Sequence, residues 1–95
     1  MNRLVIHSQA ESFIRTLAPE PRTRLVRALK VLPAGEVKAL EGRLSGYFRL
    51  RVGGYRLIFA DTVKNGVRTL DCLFVERRSI VYELFEQILA ERVVQ

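Results

Sequence analysis

The pattern of apolar and polar positions is clearest in residues 47–59, where the two classes alternate on both sides of Gly53-Gly54. A period of two is typical of β-strands, and paired glycines supply the positive φ that a two-residue hairpin loop needs. With this loop, Arg51 faces Arg56 across the two strands. The predicted cross-strand pairs are Val52–Tyr55, Arg51–Arg56, Leu50–Leu57, Arg49–Ile58 and Phe48–Phe59.

This register gives the hairpin an apolar face and a basic face. The apolar face comprises Phe48, Leu50, Val52, Tyr55, Leu57 and Phe59, and the basic face carries Arg49, Arg51 and Arg56. Like charges directly opposite each other destabilise a sheet. Three arginines on one face are therefore better explained by an anionic ligand than by a solvated surface.

A second hairpin is predicted at Asn65-Gly66, a common two-residue turn, with a returning strand from Val67 to Val75 or Glu76. This register extends the apolar face and places Glu76 at the edge of the core side. The predicted pairs are Phe59–Cys72, Leu57–Phe74, Ile58–Leu73 and Arg56–Val75.

Helical spacing appears at both ends of the chain. After a strand over residues 3–7, Ser8 and Glu11 form the pattern of a capping box, and a second helix is predicted from Pro21 to Leu32. The last helix has apolar residues at Val81, Leu84, Phe85, Ile88 and Leu89. Residues 36–43 fit a loop or one helical turn. The expected stripes of the first two helices are Ala10, Phe13, Ile14 and Leu17, then Leu25, Val26, Leu29 and Leu32.

These elements predict an α+β fold in the order β-α-α-β-β-β-α, as one domain over residues 1–95. We expect an antiparallel-rich twisted sheet with two helices on its apolar face. The last helix is expected on the other face, near the arginines. The chain has no apolar run of the ~20 residues that a membrane span requires.

Composition adds a strong basic bias. Lys and Arg number 16 against 10 Asp and Glu, which gives a net charge of +6 and a pI near 10.2. Thirteen of the cations are arginines, whose planar guanidinium can bind a phosphate through two parallel hydrogen bonds. We therefore expect a polyanionic partner such as nucleic acid. One Cys and one His form neither an internal disulfide nor a credible metal site, so we expect a cytoplasmic protein without a metal or other cofactor.

The segment from Leu44 to Ile58, which contains Gly46-Tyr47-Phe48-Arg49-Leu50-Arg51 and Gly54-Tyr55-Arg56, resembles the RelE/ParE superfamily of bacterial toxins. Arg77-Arg78-Ser79-Ile80-Val81-Tyr82 resembles the arginine-rich element before the last helix of these proteins. The resemblance covers almost the whole chain. It implies the toxin of a type II toxin–antitoxin pair, bound and neutralised by a cognate antitoxin in a hetero-oligomer.

RelE-type relatives cut mRNA in the ribosome, which favours a metal-independent mRNA endoribonuclease with ribosome and mRNA as partners. ParE-type relatives inhibit DNA gyrase, so a gyrase inhibitor remains the alternative, as does an inactive antitoxin-binding homologue. The resemblance assigns catalytic positions to Arg49, Arg51, Arg56, Arg78 and Tyr82. Arg43, Tyr47 and Arg77 are expected to bind RNA, with packing as the alternative role for Tyr47.

One position departs from the RelE pattern. Glu76 stands where that pattern has an arginine, six residues before Tyr82. Arg77 is a substitute by sequence position, although adjacent residues of a strand point to opposite faces. Because arginine remains protonated near neutral pH, Arg49 and Arg51 are interpreted first as electrostatic stabilisers. A role for Glu76 as general acid or base is the other possibility.

Overall fold

The computed structural model describes residues 2–94, with side chains through Arg92. Its elements are β1 (Arg3–Ile6), α1 (Ser8–Thr16), α2 (Pro19–Lys30), β2 (Val37–Ala39), a 3-10 turn (Gly42–Leu44), β3 (Phe48–Val52), β4 (Tyr55–Lys64), β5 (Val67–Arg77) and α3 (Val81–Val94). The strands form one sheet in the order β1-β5-β4-β3-β2. β1 lies parallel to β5, and the other neighbours are antiparallel. The predicted α+β fold is confirmed, with β2 as an additional strand.

The two faces of the sheet are covered by different helices. The apolar stripes of α1 and α2 pack on one face, where Leu50, Leu57 and Phe59 are buried. α3 packs on the other face, where Val81 and Phe85 contact Ile58 and Phe74. The predicted distribution of helices is therefore confirmed. α3 covers only part of its face, which leaves the ends of β3 and β4 near the Gly-Gly turn open.

The first predicted hairpin is confirmed pair by pair, from Phe48–Phe59 to Val52–Tyr55. In the second hairpin, the register is as predicted only from the turn to Phe59–Cys72. Leu73 is then an extra residue in β5, a β-bulge that shifts all later pairs by one position. The predicted pairs Leu57–Phe74, Ile58–Leu73 and Arg56–Val75 are wrong. The observed pairs are Leu57–Val75, Ile58–Phe74 and Arg56–Glu76.

The helix boundaries required smaller corrections. Ser8 is the first residue of α1 rather than its cap, because His7 occupies the N-cap position and no side chain caps the helix. α2 begins at Pro19 and ends at Lys30, two residues earlier than predicted at each end. Val26 lies on the exposed side of α2, whereas the rest of its predicted stripe is buried.

A polar network links His7, the residue after β1, to Asp71 of β5 and Lys64 of β4. The Asp71 carboxylate accepts a hydrogen bond from Lys64 Nζ at 3.2 Å, and its other oxygen lies 3.0 Å from His7 Nε2. The hydrogen bond with His7, assisted by Lys64, lowers the pKa of Asp71 despite the opposing effect of burial. The side chain is only 9% exposed. Its ionised form therefore stabilises the fold.

Replacement of Asp71 by asparagine is expected to reduce the free energy of unfolding at pH 7 by about 1–3 kcal/mol, since charged hydrogen bonds are lost. A carboxyl whose pKa is lowered by folding stabilises the protein above its ordinary titration range and loses this effect as the pH falls. Urea unfolding should therefore give a higher free energy of unfolding for the wild type than for Asp71→Asn at pH 7, and the difference should become smaller toward pH 3. Glu83→Gln, at an exposed site, is the control. An equal advantage at both pH values would contradict the role of the Asp71 charge.

No helix within residues 2–94 is long and apolar enough to cross a membrane.

Cys72 is fully buried in the core between the sheet and the first two helices, and burial raises the pKa of its thiol to about 12. This thiol is therefore held in its protonated, unreactive form near neutral pH.

Candidate functional site

The Gly53-Gly54 turn determines the positions of the three hairpin arginines. Gly53 has φ of +58°, which favours glycine, and the tight turn places Arg51 directly opposite Arg56. Arg49 pairs with Ile58, a residue buried beneath α3. Because strand residues alternate between faces, all three arginines lie on the α3 side of the sheet. The predicted basic face is therefore confirmed.

β2 adds a cation that the sequence reasoning missed. Lys38 pairs with Arg49 across the antiparallel β2–β3 ladder and so lies on the same basic face. The sequence of residues 36–43 fits a loop or one helical turn, whereas in the structure Val37–Ala39 forms an edge strand and Gly42–Leu44 a 3-10 turn. A strand of three residues carries too little alternation to be recognised. Its pairing with β3 is the observation that reveals Lys38.

The turn between β5 and α3 brings the second group of predicted residues to this face. The backbone N–H of Arg78 donates to the carbonyl of Gly54 at 2.9 Å, which fastens this turn to the tip of the hairpin. Tyr82 lies in the first turn of α3 and packs partly against the apolar cluster beneath that helix. The two sequence motifs, about 25 residues apart, thus form one site.

Together these elements enclose an open cleft of about 550 Å³. Its lining residues are Lys38, Ala39, Leu40, Glu41, Arg49, Arg56, Arg78, Ser79 and Tyr82. Four of the five predicted catalytic residues are among them, and Arg51 is not. The cleft combines four cationic side chains with a tyrosine and one carboxylate among its lining residues. This combination suits a ligand that carries negative charge and an aromatic or hydrogen-bonding group.

The guanidinium groups are held by carbonyl oxygens. Arg56 Nη1 donates to the carbonyls of Gly53 and Tyr55, each at 2.9 Å. Arg49 makes a long hydrogen bond of 3.4 Å to the Glu36 carbonyl. Carbonyl acceptors orient an arginine without neutralising its charge, so these two groups stay available for an anion. Within residues 2–92, no carboxylate forms a salt bridge with either of them.

Arg51 differs from the other two hairpin arginines. Its Nε lies 3.8 Å from a carboxylate oxygen of Glu36, and both side chains are largely exposed. Exposed ion pairs of this kind contribute little and are readily exchanged for another anion. Arg51 therefore lies at the outer margin of the basic face, beyond the cleft itself.

The bulge at Leu73 reverses the expected orientation of Glu76. Instead of the core side, Glu76 lies on the basic face and pairs with Arg56 in the ladder. Its carboxylate accepts a hydrogen bond from the backbone N–H of Arg77 at 3.0 Å, and the side chain is half-buried. Glu76 is not among the residues that line the cleft. The position where RelE-type proteins have an arginine thus holds a carboxylate bonded to its own strand.

The three residues expected to bind RNA lie outside the cleft lining. Arg43 is exposed in the 3-10 turn. Tyr47 is half-buried with its ring edge-on to Phe85, at 5.1 Å between centroids, so packing accounts for it. Arg77 pairs with Tyr55 and, by strand alternation, lies on the opposite face from the arginine trio. It therefore does not replace the arginine that is missing at position 76.

The described residues offer little for a metal ion. No group of three His, Cys, Asp or Glu side chains that could coordinate a metal occurs within residues 2–92.

The comparisons with known proteins identify the fold. No family model matches the chain, and the comparison with curated proteins gives no significant match. Among solved structures, the RelBE2 toxin–antitoxin complex of Mycobacterium tuberculosis aligns with a TM-score of 0.64 and 24% identity, covering 81% of this chain and 98% of that one. An archaeal RelE–RelB complex from Pyrococcus horikoshii aligns with a TM-score of 0.63 and 24% identity, over 81% and 94% of the chains.

A YoeB/ParE toxin from Agrobacterium tumefaciens gives a TM-score of 0.58 at 21% identity, over 80% of this chain and 98% of that one. The structure therefore has the fold of RelE/ParE-type toxins, as the sequence resemblance predicted. These similarities span nearly the full length of the aligned proteins. At this level of sequence identity the alignments establish the fold alone, and the function has to be inferred from the residues of the cleft.

Proposed function

We propose that this chain is the toxin of a type II toxin–antitoxin pair and that it cleaves mRNA on the ribosome. The observation that carries the proposal is the cleft, where cations face each other across the sheet. Lys38 pairs with Arg49, and Arg51 with Arg56 beside the cleft. Each arrangement costs stability in the free protein and becomes favourable when a phosphate lies between the cations.

RNA cleavage through the 2′-hydroxyl requires stabilisation of a phosphorane that carries more negative charge than the substrate. In this proposal the cleft-lining Arg49, Arg56 and Arg78 stabilise that charge, and an oriented donor contributes roughly 2.7–4 kcal/mol when correctly aimed. Tyr82, which also lines the cleft, stacks on a base or donates a hydrogen bond in the same proposal. The proposed chemistry uses side chains alone and needs no metal or other cofactor.

The partners follow from the same proposal. Two of the similar structures are toxin–antitoxin complexes, which supports a cognate antitoxin as the binding partner of this chain in a hetero-oligomer. An antitoxin segment with acidic side chains would complement the basic face and block access to the cleft. A cytoplasmic location, where ribosomes translate mRNA, is part of the same proposal.

The proposal is tested by expressing the chain without an antitoxin and sequencing RNA 5′ ends. We expect growth arrest and new mRNA ends within translated regions, and purified protein should cut mRNA only when ribosomes are present. The double variant Arg49→Ala/Arg56→Ala is the inactive control. DNA breaks that depend on gyrase, with intact mRNA, would replace the proposal by the ParE-type function. Normal growth with folded protein present would indicate an inactive homologue.

A further inference from the structure

The cleft needs a group that accepts the proton of the 2′-hydroxyl. Arginine cannot serve near neutral pH, and ordinary lysine and tyrosine side chains are protonated there. Of the residues that line the cleft in the described part of the chain, Glu41 is the one carboxylate. An ionised carboxylate is a hydrogen-bond acceptor only, so this residue type can take up a proton.

The backbone of Glu41 is held firmly at the wall of the cleft. It lies between the end of β2 and the 3-10 turn, with φ of −120° and ψ of 176°. The N–H of Leu40 donates to the Tyr47 carbonyl at 2.9 Å, and the N–H of Leu44 donates to the Glu41 carbonyl at 3.2 Å. Leu40 and Leu44 both pack into the apolar cluster beneath α3. The loop is thus anchored on both sides of the carboxylate.

The side chain of Glu41, in contrast, is uncommitted. It is exposed, and within the described residues it forms neither a salt bridge nor a capping hydrogen bond. The other two carboxylates near the basic face are occupied, since that of Glu36 lies against Arg51 and that of Glu76 accepts its neighbour's N–H. The other cleft-lining residues with a titratable or charged side chain, from every surrounding element, are Lys38, Arg49, Arg56, Arg78 and Tyr82.

We propose that Glu41 is the proton acceptor of the cleavage reaction, an inference that rests on the proposed function. The 2′-hydroxyl proton passes to a Glu41 carboxylate oxygen while the O2′–P bond forms and the P–O5′ bond breaks. The leaving 5′-oxygen takes a proton from the Lys38 ammonium, the other titratable group on this wall. The products are a 2′,3′-cyclic phosphate and a 5′-hydroxyl, and exchange with water restores both side chains.

The test compares Glu41→Gln with the wild type in ribosome-dependent cleavage of a defined mRNA. General-base catalysis contributes typically 10²–10⁴-fold, so we expect the single-turnover rate to fall by about 100-fold or more. Binding of a non-cleavable mRNA with a 2′-deoxy cleavage site should be unchanged or tighter, because a negative charge has left the cleft.

The control is Glu20→Gln, which removes an exposed carboxylate from the first turn of α2, on the other face of the sheet, and should retain the wild-type rate. Lys38→Arg keeps the positive charge, but a guanidinium does not release its proton to the leaving oxygen. This variant should therefore slow cleavage at least tenfold. A wild-type rate for Glu41→Gln would overturn the assignment of Glu41 as proton acceptor. A wild-type rate for Lys38→Arg would overturn the assignment of Lys38 as proton donor. In either case, cleavage by the wild type would leave the proposed function standing. Absence of cleavage by the wild type would remove both proposals.

Discussion

Under the proposed function, the Arg56→Ala variant is expected to cleave mRNA about 100- to 1,000-fold more slowly than the wild type, a loss of roughly 2.7–4 kcal/mol of transition-state stabilisation. The physical reason is preorganisation. Two carbonyls of its own hairpin hold Arg56 Nη1 in place, so little reorientation is needed when negative charge develops on the phosphate. A flexible surface arginine would contribute much less.

The measurement is the single-turnover rate on programmed ribosomes, with mRNA binding determined separately. We expect the rate to fall far more than the affinity, since the interaction is strongest in the transition state. Arg3→Ala removes an exposed arginine of β1, at the opposite edge of the sheet, and should leave the rate unchanged. Equal losses in both variants would indicate that only the net positive charge matters and would refute a specific role for Arg56.

The largest expected effect on stability is that of Phe59→Ala. Phe59 is 1% exposed in the core between the sheet and the first two helices, and its ring stacks on Phe48 at 5.5 Å between centroids. Truncation of a buried phenylalanine typically costs about 3–5 kcal/mol, through lost burial and the cavity that remains. For a domain with a total stability of ~5–15 kcal/mol, this loss brings the protein close to unfolding.

Chemical denaturation followed by circular dichroism measures this effect. Val63→Ala is the matched control, because Val63 lies on the same strand but is 71% exposed. It should shift the free energy of unfolding by about 0.5 kcal/mol or less. A loss below 1 kcal/mol for Phe59→Ala would show that the core between the sheet and α1–α2 does not support the fold as described.

Local turn chemistry made the β3–β4 hairpin predictable. A two-residue loop allows only one register for the two strands that it connects. The Gly53-Gly54 loop therefore determined every pair from Val52–Tyr55 to Phe48–Phe59. The same reasoning worked beyond Asn65-Gly66 as far as Cys72. It then stopped working, because Leu73, Phe74 and Val75 are all apolar and their pattern does not reveal which of them forms the bulge.

That single inserted residue decided where Glu76 lies. Without it, the carboxylate would lie on the core side, and with it the carboxylate lies on the basic face opposite Arg56. Lys38 and Glu41 were missed for a different reason. Their segment has no strong propensity of its own and takes its shape from pairing with β3, a contact between residues about ten positions apart.

The sequence by itself determined the order of most elements, the register of the first hairpin and the common face of the three arginines. These features depend on neighbouring residues, where periodicity and glycine turns act directly. Only the tertiary structure decided that Arg78 and Tyr82 join Arg49 and Arg56 in one cleft, that Lys38 and Glu41 form its wall, and that Glu76 faces the cations. Such features arise from strand pairing and packing between segments that are distant in the sequence. The free energy of these contacts cannot be inferred from the pattern of neighbouring residues.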